Sequence, residues 1–399
     1  MKTIGVIREY KQPADLRTPL TPNDCLDLIK RFPGIKIIVQ ASPFRCFSDD
    51  EYRKIGIEVR EDVSEADILL GVKEVPYNQL IADKTYLFFS HTIKKQAVNK
   101  KMLREILRKN ITLIDYETLV WQGGHRIIGF GRFAGIVGAH YAFLMWGLRN
   151  KNFSILPANK CKNMDAMYAQ YEGLQLPPMK IVLCGDGRVA HGAMEFFKRL
   201  KIHHITPEQF LETEYDHPVY VQLRSEDYYA HKDGRGWDKS DFYKHAENYR
   251  STFSPYYRSA DVMINAVYWH SKLEPFFTLE EMKNNDFRIK IISDISCDVP
   301  GPVPSTVRST TIAEPFYGFN PFINKETAPF EGQHIDVQAV GNLPCELPID
   351  ASIEFGNQLV KNILPYLLLA DTDDIIKNAT IATAGALTER FSYLTDYVE

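Results

Sequence analysis

The sequence has no long hydrophobic run and no paired cysteines. No apolar stretch approaches the roughly 18 residues of a membrane-spanning helix, and the start, MKTIGVIREYK, lacks the apolar core and cleavage site of a secretory signal. The six cysteines show no CxxC spacing that could chelate zinc, so no metal site is predicted and the thiols are expected to be reduced. These absences indicate a soluble, cytoplasmic protein.

The chain also has little net charge. A formal charge of -4 gives no reason to expect a nucleic acid or a membrane surface as partner. Small-molecule ligands are expected instead, and a homo-oligomer is left open. Because 399 residues exceed the roughly 250 to 300 that one hydrophobic core usually serves, two domains are expected.

Short β-branched runs alternate with helical patterns through the first third of the chain, from TIGVI to ITLIDYE. This rhythm predicts a parallel sheet covered by helices, and it restarts at PPMKIVLCGDGRVAHG. We therefore expect an α/β fold with two Rossmann-like, doubly wound parallel-sheet domains flanking a cleft. The first domain is predicted at 1–140 and is completed by C-terminal helices at 348–399, which include TIATAGALTERFSYL. The second is predicted at 141–347.

Two stretches of the second domain stand out. FAGIVGAHYAFLMWGLR has small residues at helical spacing, which predicts a tightly packed helix between the domains or an ordinary core helix. A polar, aromatic stretch at about 215–258 interrupts what should be a short crossover. Such an insertion is expected to cover a cleft or a subunit contact.

A GxGxxA turn between a strand and a helix predicts a dinucleotide site. Gly185 permits the tight turn, Gly187 lets the backbone approach a pyrophosphate, and Ala190 allows close packing of helix on strand. Arg188 and Val189 complete the predicted cofactor contacts of this turn. The alternative is a plain αβ turn.

The choice between NAD and NADP stays open in the sequence. The acid that accepts the ribose hydroxyls of NAD usually lies about twenty residues on, where Glu208 follows a proline and is poorly placed. Arg188 could meet a 2′-phosphate or be a solvated loop cation, so NADP is at least as plausible as NAD. Asn265 and Asp294, at predicted strand ends, could face the nicotinamide ribose or cap the turns that follow.

Charged side chains end the strands of the first domain. Lys73 and Glu74 follow ILLGV, and His91 follows YLFFS. Because neighbouring strand ends in a parallel sheet lie close together, these residues are expected to share one cleft. Such a cluster suits imine chemistry, in which an amine loses a proton to attack a ketone and the carbinolamine gains a proton to expel water. Groups that titrate near neutral pH serve those steps best, and burial lowers the pKa of a lysine towards that range. Lys73 and His91 are therefore candidate acid–base residues, unless they are merely exposed strand-end side chains.

Four residues are candidates for binding the substrate. Lys11 and Arg17 lie in the loop after the first strand, and an arginine can grip a carboxylate through two parallel hydrogen bonds. Glu117, in LIDYE, could hold a substrate ammonium or pair with a nearby cation. Glu74 is expected to adjust the pKa of Lys73.

These pieces, in this order, resemble the alanine dehydrogenase and saccharopine dehydrogenase superfamily, which shares its N-terminal domain with transhydrogenase. The shared features are IREYKQPADLRTPLTP, GVKEVP, SHTIKK and the late glycine turn. In that superfamily the lysine and the histidine are the acid–base groups, and the early arginine binds a substrate carboxylate. The resemblance implies these roles for Lys73, His91 and Arg17.

Three stretches resemble the lysine-forming saccharopine dehydrogenases, including the lysine ketoglutarate reductase domain of the bifunctional aminoadipate semialdehyde synthase. They are KTYLFFSHTIKKQ with LIDYE, DKSDFYKHAENYRSTFSP, and the run from DVMINAVYW to VGNLPCELPIDAS. The resemblance implies NAD(P)-dependent condensation of lysine with α-ketoglutarate to saccharopine, or the reverse. Glu74 and Glu117 match acidic positions of the single-function enzymes, which use NAD, whereas the bifunctional enzyme usually uses NADP.

Two other functions compete with this interpretation. An alanine dehydrogenase-like enzyme would use ammonia in place of lysine, but alanine dehydrogenases do not typically carry the insertion. A non-catalytic NAD(P)-binding protein would not need Lys73, His91 and Arg17 together.

Overall fold

The structure is a computed structural model and describes residues 2–399. It divides into two compact units, one formed by Met1–Phe130 with Pro348–Glu399 and the other by Gly131–Leu347. The helix Gly131–Asn150 is continuous, so the predicted boundary after residue 140 would cut it. None of the helices within residues 2–399 is long and apolar enough to cross a membrane.

The two units consist of short strands and helices. In chain order the strands are β1 Thr3–Val6, β2 Lys36–Gln40, β3 Glu58–Arg60, β4 Ile68–Leu70, β5 Thr85–Phe88, β6 Thr112–Asp115, β7 Lys180–Cys184, β8 His203–His204, β9 Val219–Leu223, β10 Tyr229–His231, β11 Tyr249–Ser251, β12 Val262–Asn265, β13 Ile291–Asp294, β14 Phe316–Asn320, β15 Lys325–Thr327, β16 Ile335–Gln338, β17 Thr380–Thr383 and β18 Ala386–Leu387. The helices are α1 Pro22–Arg31, α2 Asp49–Lys54, α3 Lys100–Arg108, α4 Gly131–Asn150, α5 Met164–Ala169, α6 Arg188–Arg199, α7 Pro207–Glu212, α8 Ser225–Tyr228, α9 Lys239–Lys244, α10 Ser254–Ser259, α11 Pro348–Asn362, α12 Leu364–Leu368, α13 Ile375–Ala379 and α14 Thr395–Val398.

The sheet of the first unit is doubly wound. Its strands lie in the order β18-β17-β6-β5-β4-β1-β2-β3, and the six from the N-terminal part are parallel. This is the 3-2-1-4-5-6 order of Rossmann-like folds. Ile68 and Leu70 join one apolar cluster and Leu69 joins another, because successive side chains of a strand point to opposite faces. The predicted fold class is confirmed for this unit.

The C-terminal segment contains a hairpin where the sequence pattern predicts a helix. TIATAGAL forms β17 and β18, and β17 adds to β6 in antiparallel orientation. Ala384 and Gly385 have φ angles of 50° and 75°, the conformation that two-residue hairpin turns favour. The prediction of helices throughout 348–399 is therefore wrong for this stretch, whereas α11 to α14 agree with it.

The sheet of the second unit has the order β15-β14-β16-β13-β12-β7-β9-β8, with β14 and β15 antiparallel. It confirms the second Rossmann-like domain but departs from the common order, since β8 follows α6 in the chain yet lies outside β9. The strand beside β7 is β9, Val219–Leu223, and it falls inside the predicted insertion at 215–258. The insertion therefore begins later, at Arg224, and contains the hairpin of β10 and β11.

Glycines let α4 pack directly against α6. A Cβ atom on Gly135 would lie 1.9 Å from the Val189 carbonyl oxygen, and one on Gly192 would lie 2.0 Å from the Arg132 carbonyl oxygen. Backbone therefore meets backbone at both positions. The small residues of the long apolar stretch serve this close approach, and α6 is the helix that follows the glycine turn.

We predict that Gly135→Ala destabilises the second unit by roughly 1–3 kcal/mol or more, because the added methyl group overlaps main-chain atoms that cannot move independently. The free energy of unfolding in urea measures the effect. Gly236→Ala is the matched control, since a Cβ atom there meets nothing within 4 Å. Equal losses in both variants would contradict the packing argument.

Candidate active site

Charged residues follow four adjacent strands of the first unit, which lie in the order β6-β5-β4-β1. Glu9 lies beyond β1, Lys73 and Glu74 beyond β4, His91 beyond β5 and Glu117 beyond β6. Because the carboxyl ends of parallel strands meet at one edge of the sheet, these side chains form one group. We call it the strand-end cluster, and it contains both residues predicted for acid–base chemistry.

Glu9 is the member that the sequence patterns did not single out. Its two carboxyl oxygens accept the main-chain N–H groups of Val72 and Lys73, at 2.6 and 2.8 Å. Burial, and then the nearby Asp15, raise the pKa of Glu9 to about 8. The carboxyl thus fixes the backbone on which the Lys73 side chain stands. A signal was present, since Glu9 lies three residues after the end of β1, in IREYK.

Lys73 has the environment expected of a proton-transfer group. Burial lowers its pKa below the usual value, and the positive charge of Arg17 lowers it further. Asp15 and Glu74 oppose this effect by favouring the charged ammonium. The balance lowers the pKa of the lysine towards neutral, as is expected of an amine in a partly dry location.

Glu74 connects His91 to the cluster. Its Oε1 atom lies 2.8 Å from Nδ1 of His91, and its Oε2 atom lies 3.5 Å from the ammonium nitrogen of Lys11. Burial opposes ionisation, but the contact with His91 dominates and lowers the pKa of Glu74 to about 2. The carboxylate therefore stays charged and orients the imidazole. The backbone of His91 adopts a left-handed φ of 52°. Lys11 remains half exposed.

Arg17 is paired within the chain. Its Nε and Nη2 atoms donate to the two carboxylate oxygens of Asp15, at 2.9 and 2.6 Å, and its guanidinium lies over the ring of Phe130 at 4.2 Å. Burial alone would raise the pKa of Asp15, but Arg17 holds it well below its usual range. The two parallel hydrogen bonds predicted for a substrate carboxylate are thus made with Asp15. Carboxylate binding by Arg17 stays a prediction and would need other N–H groups of the guanidinium.

Glu117 is surrounded by cations at the end of β6. Its Oε1 atom lies 3.2 Å from the Lys94 ammonium and 3.1 Å from Nη2 of Arg126. Burial is outweighed by these two charges, so the pKa of Glu117 is lowered. Its Oε2 atom is buried and has no hydrogen-bond partner among the described residues. This oxygen is a suitable acceptor for a substrate ammonium.

A second buried carboxyl, Asp115, holds the ends of β5 and β6. It accepts the main-chain N–H groups of Ser90 and Glu117, at 3.1 and 2.7 Å, and also the Ser90 hydroxyl. Burial raises the pKa of Asp115 to about 6. His91 and Glu117 are thereby both placed next to a fixed main-chain amide.

The glycine turn of the second unit fits a pyrophosphate. Gly185 has a φ of 121°, and a Cβ atom there would lie 2.7 Å from the carbonyl oxygen of Ala266. Gly187 precedes α6, makes no side-chain cap and has open space around its Cα, so the first amides of the helix are accessible to an anion. Ala190 is fully buried, in keeping with its predicted packing role, whereas Arg188 is exposed. Val189 contributes the carbonyl that contacts α4.

Asn265 and Asp294 form a buried pair at the ends of β12 and β13. The Asn265 amide donates to Asp294 at 2.8 Å, and the Thr306 hydroxyl donates to the other carboxyl oxygen at 2.6 Å. Burial raises the pKa of Asp294 to about 6. Both polar groups are satisfied within the protein, so the contact with a nicotinamide ribose stays a prediction.

The two units define a class, namely proteins with two Rossmann-like domains of which one carries a dinucleotide-type glycine turn. Residues 5–137 match the family model of the alanine dehydrogenase/PNT N-terminal domain. An L-alanine dehydrogenase shares the fold over 100% of both chains, with a TM-score of 0.68 and 17% identity.

Two curated relatives specify the similarity. The chain is 30% identical to an alpha-aminoadipic semialdehyde synthase of Arabidopsis thaliana over 98% of its own length and 41% of that protein. It is 27% identical to a saccharopine dehydrogenase (NAD(+), L-lysine-forming) of Neurospora crassa, over 91% of each chain. The chain therefore spans less than half of the synthase. The predicted resemblance to this group of oxidoreductases is confirmed.

The buried Glu9 carboxyl leads to a prediction about how the stability of the first unit depends on pH. Since folding raises its pKa from about 4.5 to about 8, the folded unit holds a proton that the unfolded chain releases. Its contribution to stability is fully present below pH 4.5 and is lost as the pH rises through 8. Between these values the wild type should lose up to about 1.4 kcal/mol per pH unit relative to Glu9→Gln.

Urea unfolding at a series of pH values measures this slope. Glu389→Gln, at an exposed glutamate of the same unit, is the control and should follow the wild type. Parallel curves for wild type and Glu9→Gln would show that Glu9 does not hold a proton in the folded protein.

Proposed function

We propose that the chain is an NAD(P)-dependent oxidoreductase that condenses the side-chain amine of lysine with α-ketoglutarate and reduces the imine to saccharopine, or runs the reverse reaction. The observation that carries the proposal is the strand-end cluster. It combines a lysine of lowered pKa, Lys73, with an imidazole held by a charged carboxylate, His91 on Glu74. The similarity to saccharopine dehydrogenases and aminoadipic semialdehyde synthases supports the same reaction class.

The chemistry requires several proton transfers. The substrate ammonium must lose a proton before its nitrogen attacks the keto carbon, and the carbinolamine oxygen must gain protons before it leaves as water. The C–O bond then breaks as the C=N bond forms. Lys73 and His91 are the groups that accept and return these protons, because an amine of lowered pKa and an imidazole held by Glu74 follow adjacent strands.

Charged neighbours would orient the two substrates. The unpartnered Oε2 atom of Glu117 suits the amine in its ammonium form. Lys11, half exposed beside Glu74, and Arg17 provide positive charge for the carboxylates of the keto acid. In this proposal Asp15 keeps Arg17 in place.

The glycine turn of the second unit is suited to hold the dinucleotide. Gly185, Gly187 and the first amides of α6 would receive the pyrophosphate, with Arg188 at the edge of the turn. NAD(P)H supplies the hydride that reduces the imine carbon. The residues of this chain bind and orient the substrates and the dinucleotide, and they move protons.

The first test compares substrates. Oxidation of NADH or NADPH is followed with lysine plus α-ketoglutarate, and separately with ammonia plus pyruvate. We expect turnover with the first pair. Turnover only with ammonia and pyruvate would contradict the proposal and favour an alanine dehydrogenase-like enzyme. Dinucleotide binding without turnover would favour a non-catalytic binding protein.

The second test removes the proposed acid–base group. Lys73→Met should lower kcat by about 10²–10⁴-fold while leaving the dissociation constant of the dinucleotide unchanged, because the amine acts on the substrate. Lys54→Met, at an exposed lysine of α2, is the matched control and should keep full activity. An unchanged kcat in Lys73→Met would remove Lys73 from the mechanism.

A further inference from the structure

The turn that begins with His91 has an unusual backbone conformation. His91 and Lys95 both adopt left-handed φ angles, of 52° and 51°, and Thr92–Lys94 form one turn of 3-10 helix between them. We call residues 91–95 the His91 turn. Left-handed backbone at residues other than glycine costs free energy and persists only where neighbouring contacts hold it. The conformation of the His91 turn therefore depends on contacts with other parts of the chain.

The His91 turn supplies two side chains to the strand-end cluster. Nδ1 of His91 lies 2.8 Å from Oε1 of Glu74, and the Lys94 ammonium lies 3.2 Å from Oε1 of Glu117. A displacement of the turn would therefore change both the orientation of the imidazole and the charge around Glu117.

One end of the turn is fixed by the sheet. Thr92 is fully buried, and its hydroxyl lies 2.8 Å from the Ser90 hydroxyl, which is itself hydrogen-bonded to Asp115. These contacts act at the start of the turn, next to His91. The far end, at Lys95, is held by a different part of the chain.

The C-terminal segment 391–398 holds the far end of the turn. Both carboxylate oxygens of Asp396 accept hydrogen bonds from the Lys95 ammonium, at 2.7 and 2.8 Å. The Tyr397 hydroxyl donates to the main-chain carbonyl of Gln96, the residue that follows the turn. A sequence separation of 301 residues divides each pair, so only the tertiary fold brings them together.

The C-terminal segment is anchored in the core of the first unit. Three of its side chains are buried in the apolar cluster that α3 also enters, namely Phe391, Leu394 and Tyr397. Ile93, in the middle of the His91 turn, packs against the same cluster. The apolar contacts thus bring the segment to the turn, and the polar contacts of Asp396 and Tyr397 favour one backbone conformation.

We propose that Asp396 and Tyr397 are positioning residues of the active site, which act on the His91 imidazole through the His91 turn. When their contacts are lost, the left-handed residues relax, and His91 spends less time against Glu74. The fraction of molecules with the imidazole in place then falls, which lowers kcat. The inference rests on the proposed function, because it takes His91 as a group that moves protons in the reaction.

Tyr397→Phe removes the hydroxyl and keeps the buried ring. We expect kcat for lysine plus α-ketoglutarate to fall about 2–10-fold, the effect of one lost hydrogen bond, while the dissociation constant of the dinucleotide stays unchanged. Tyr393→Phe, at an exposed tyrosine of the same segment, is the matched control and should keep full activity.

Asp396 acts through an exposed ion pair, since its side chain is 72% exposed. Such pairs are weak, so Asp396→Asn should lower kcat by a smaller factor than Tyr397→Phe. Asp396→Glu keeps the charge and should retain the wild-type rate. Equal losses in Asp396→Asn and Asp396→Glu would overturn the role of this charge.

Two further measurements distinguish positioning from a general loss of stability. In nitrogen-15 NMR spectra, Tyr397→Phe should shift the imidazole signals of His91 but not those of His140, which is buried in the second unit. In a double-mutant cycle, Tyr397→Phe should cost no further activity in the His91→Gln background, because the hydroxyl acts through the imidazole. Unchanged His91 signals, or additive losses in the cycle, would overturn the proposal.

The outcomes also separate this inference from the proposed function. Turnover of ammonia and pyruvate alone, reduced by Tyr397→Phe, would overturn the proposed reaction and support the positioning role. Turnover of lysine and α-ketoglutarate that Tyr397→Phe leaves unchanged would overturn the positioning role and leave the reaction standing.

Discussion

The carboxyl of Glu9 accepts hydrogen bonds from the amides of Val72 and Lys73, and the arrangement of the strand-end cluster depends on this contact. β1 and β4 are neighbours in the sheet, so one side chain from the loop after β1 fixes the chain where it leaves β4. A charged carboxylate at this depth is costly, and burial accordingly raises the pKa of Glu9. Lys73 therefore projects from a backbone in which its own amide and the preceding one are both hydrogen-bonded to Glu9.

Buried carboxyl groups also bind amides at other strand ends, in both sheets. Asp115 binds the amides of Ser90 and Glu117 at the ends of β5 and β6, and Asp294 binds Asn265 and the Cys297 amide at the ends of β12 and β13. Parallel strands leave amide groups without ladder partners at this edge, and a buried polar group without a partner is destabilising. Carboxyl side chains satisfy several such groups at once. Precise placement of chemistry at strand ends thus follows from a requirement of the fold.

The sequence predicted much of this arrangement, and its failures have physical causes. Continuous apolar runs and polar strand ends identified both sheets and the positions of Lys73 and His91. The strand beside β7 was missed, because it is the second strand after α6 and lies within the polar stretch that was predicted to be an insertion. The pairing of Arg17 with Asp15 was also missed, since both residues precede the first helix in an irregular loop whose path no periodicity reveals.

The pairing of Arg17 with Asp15 reduces the effect of the arginine charge on Lys73. An arginine alone beside Lys73 would lower the lysine pKa, because two positive charges repel each other. Asp15 lies against Arg17 and acts on Lys73 in the opposite direction, so the lysine meets a nearly neutral pair. Burial then becomes the largest influence on its pKa, and burial alone lowers it without fixing its charge. The pair of Asp15 and Arg17 therefore leaves burial as the main cause of the lowered pKa of Lys73.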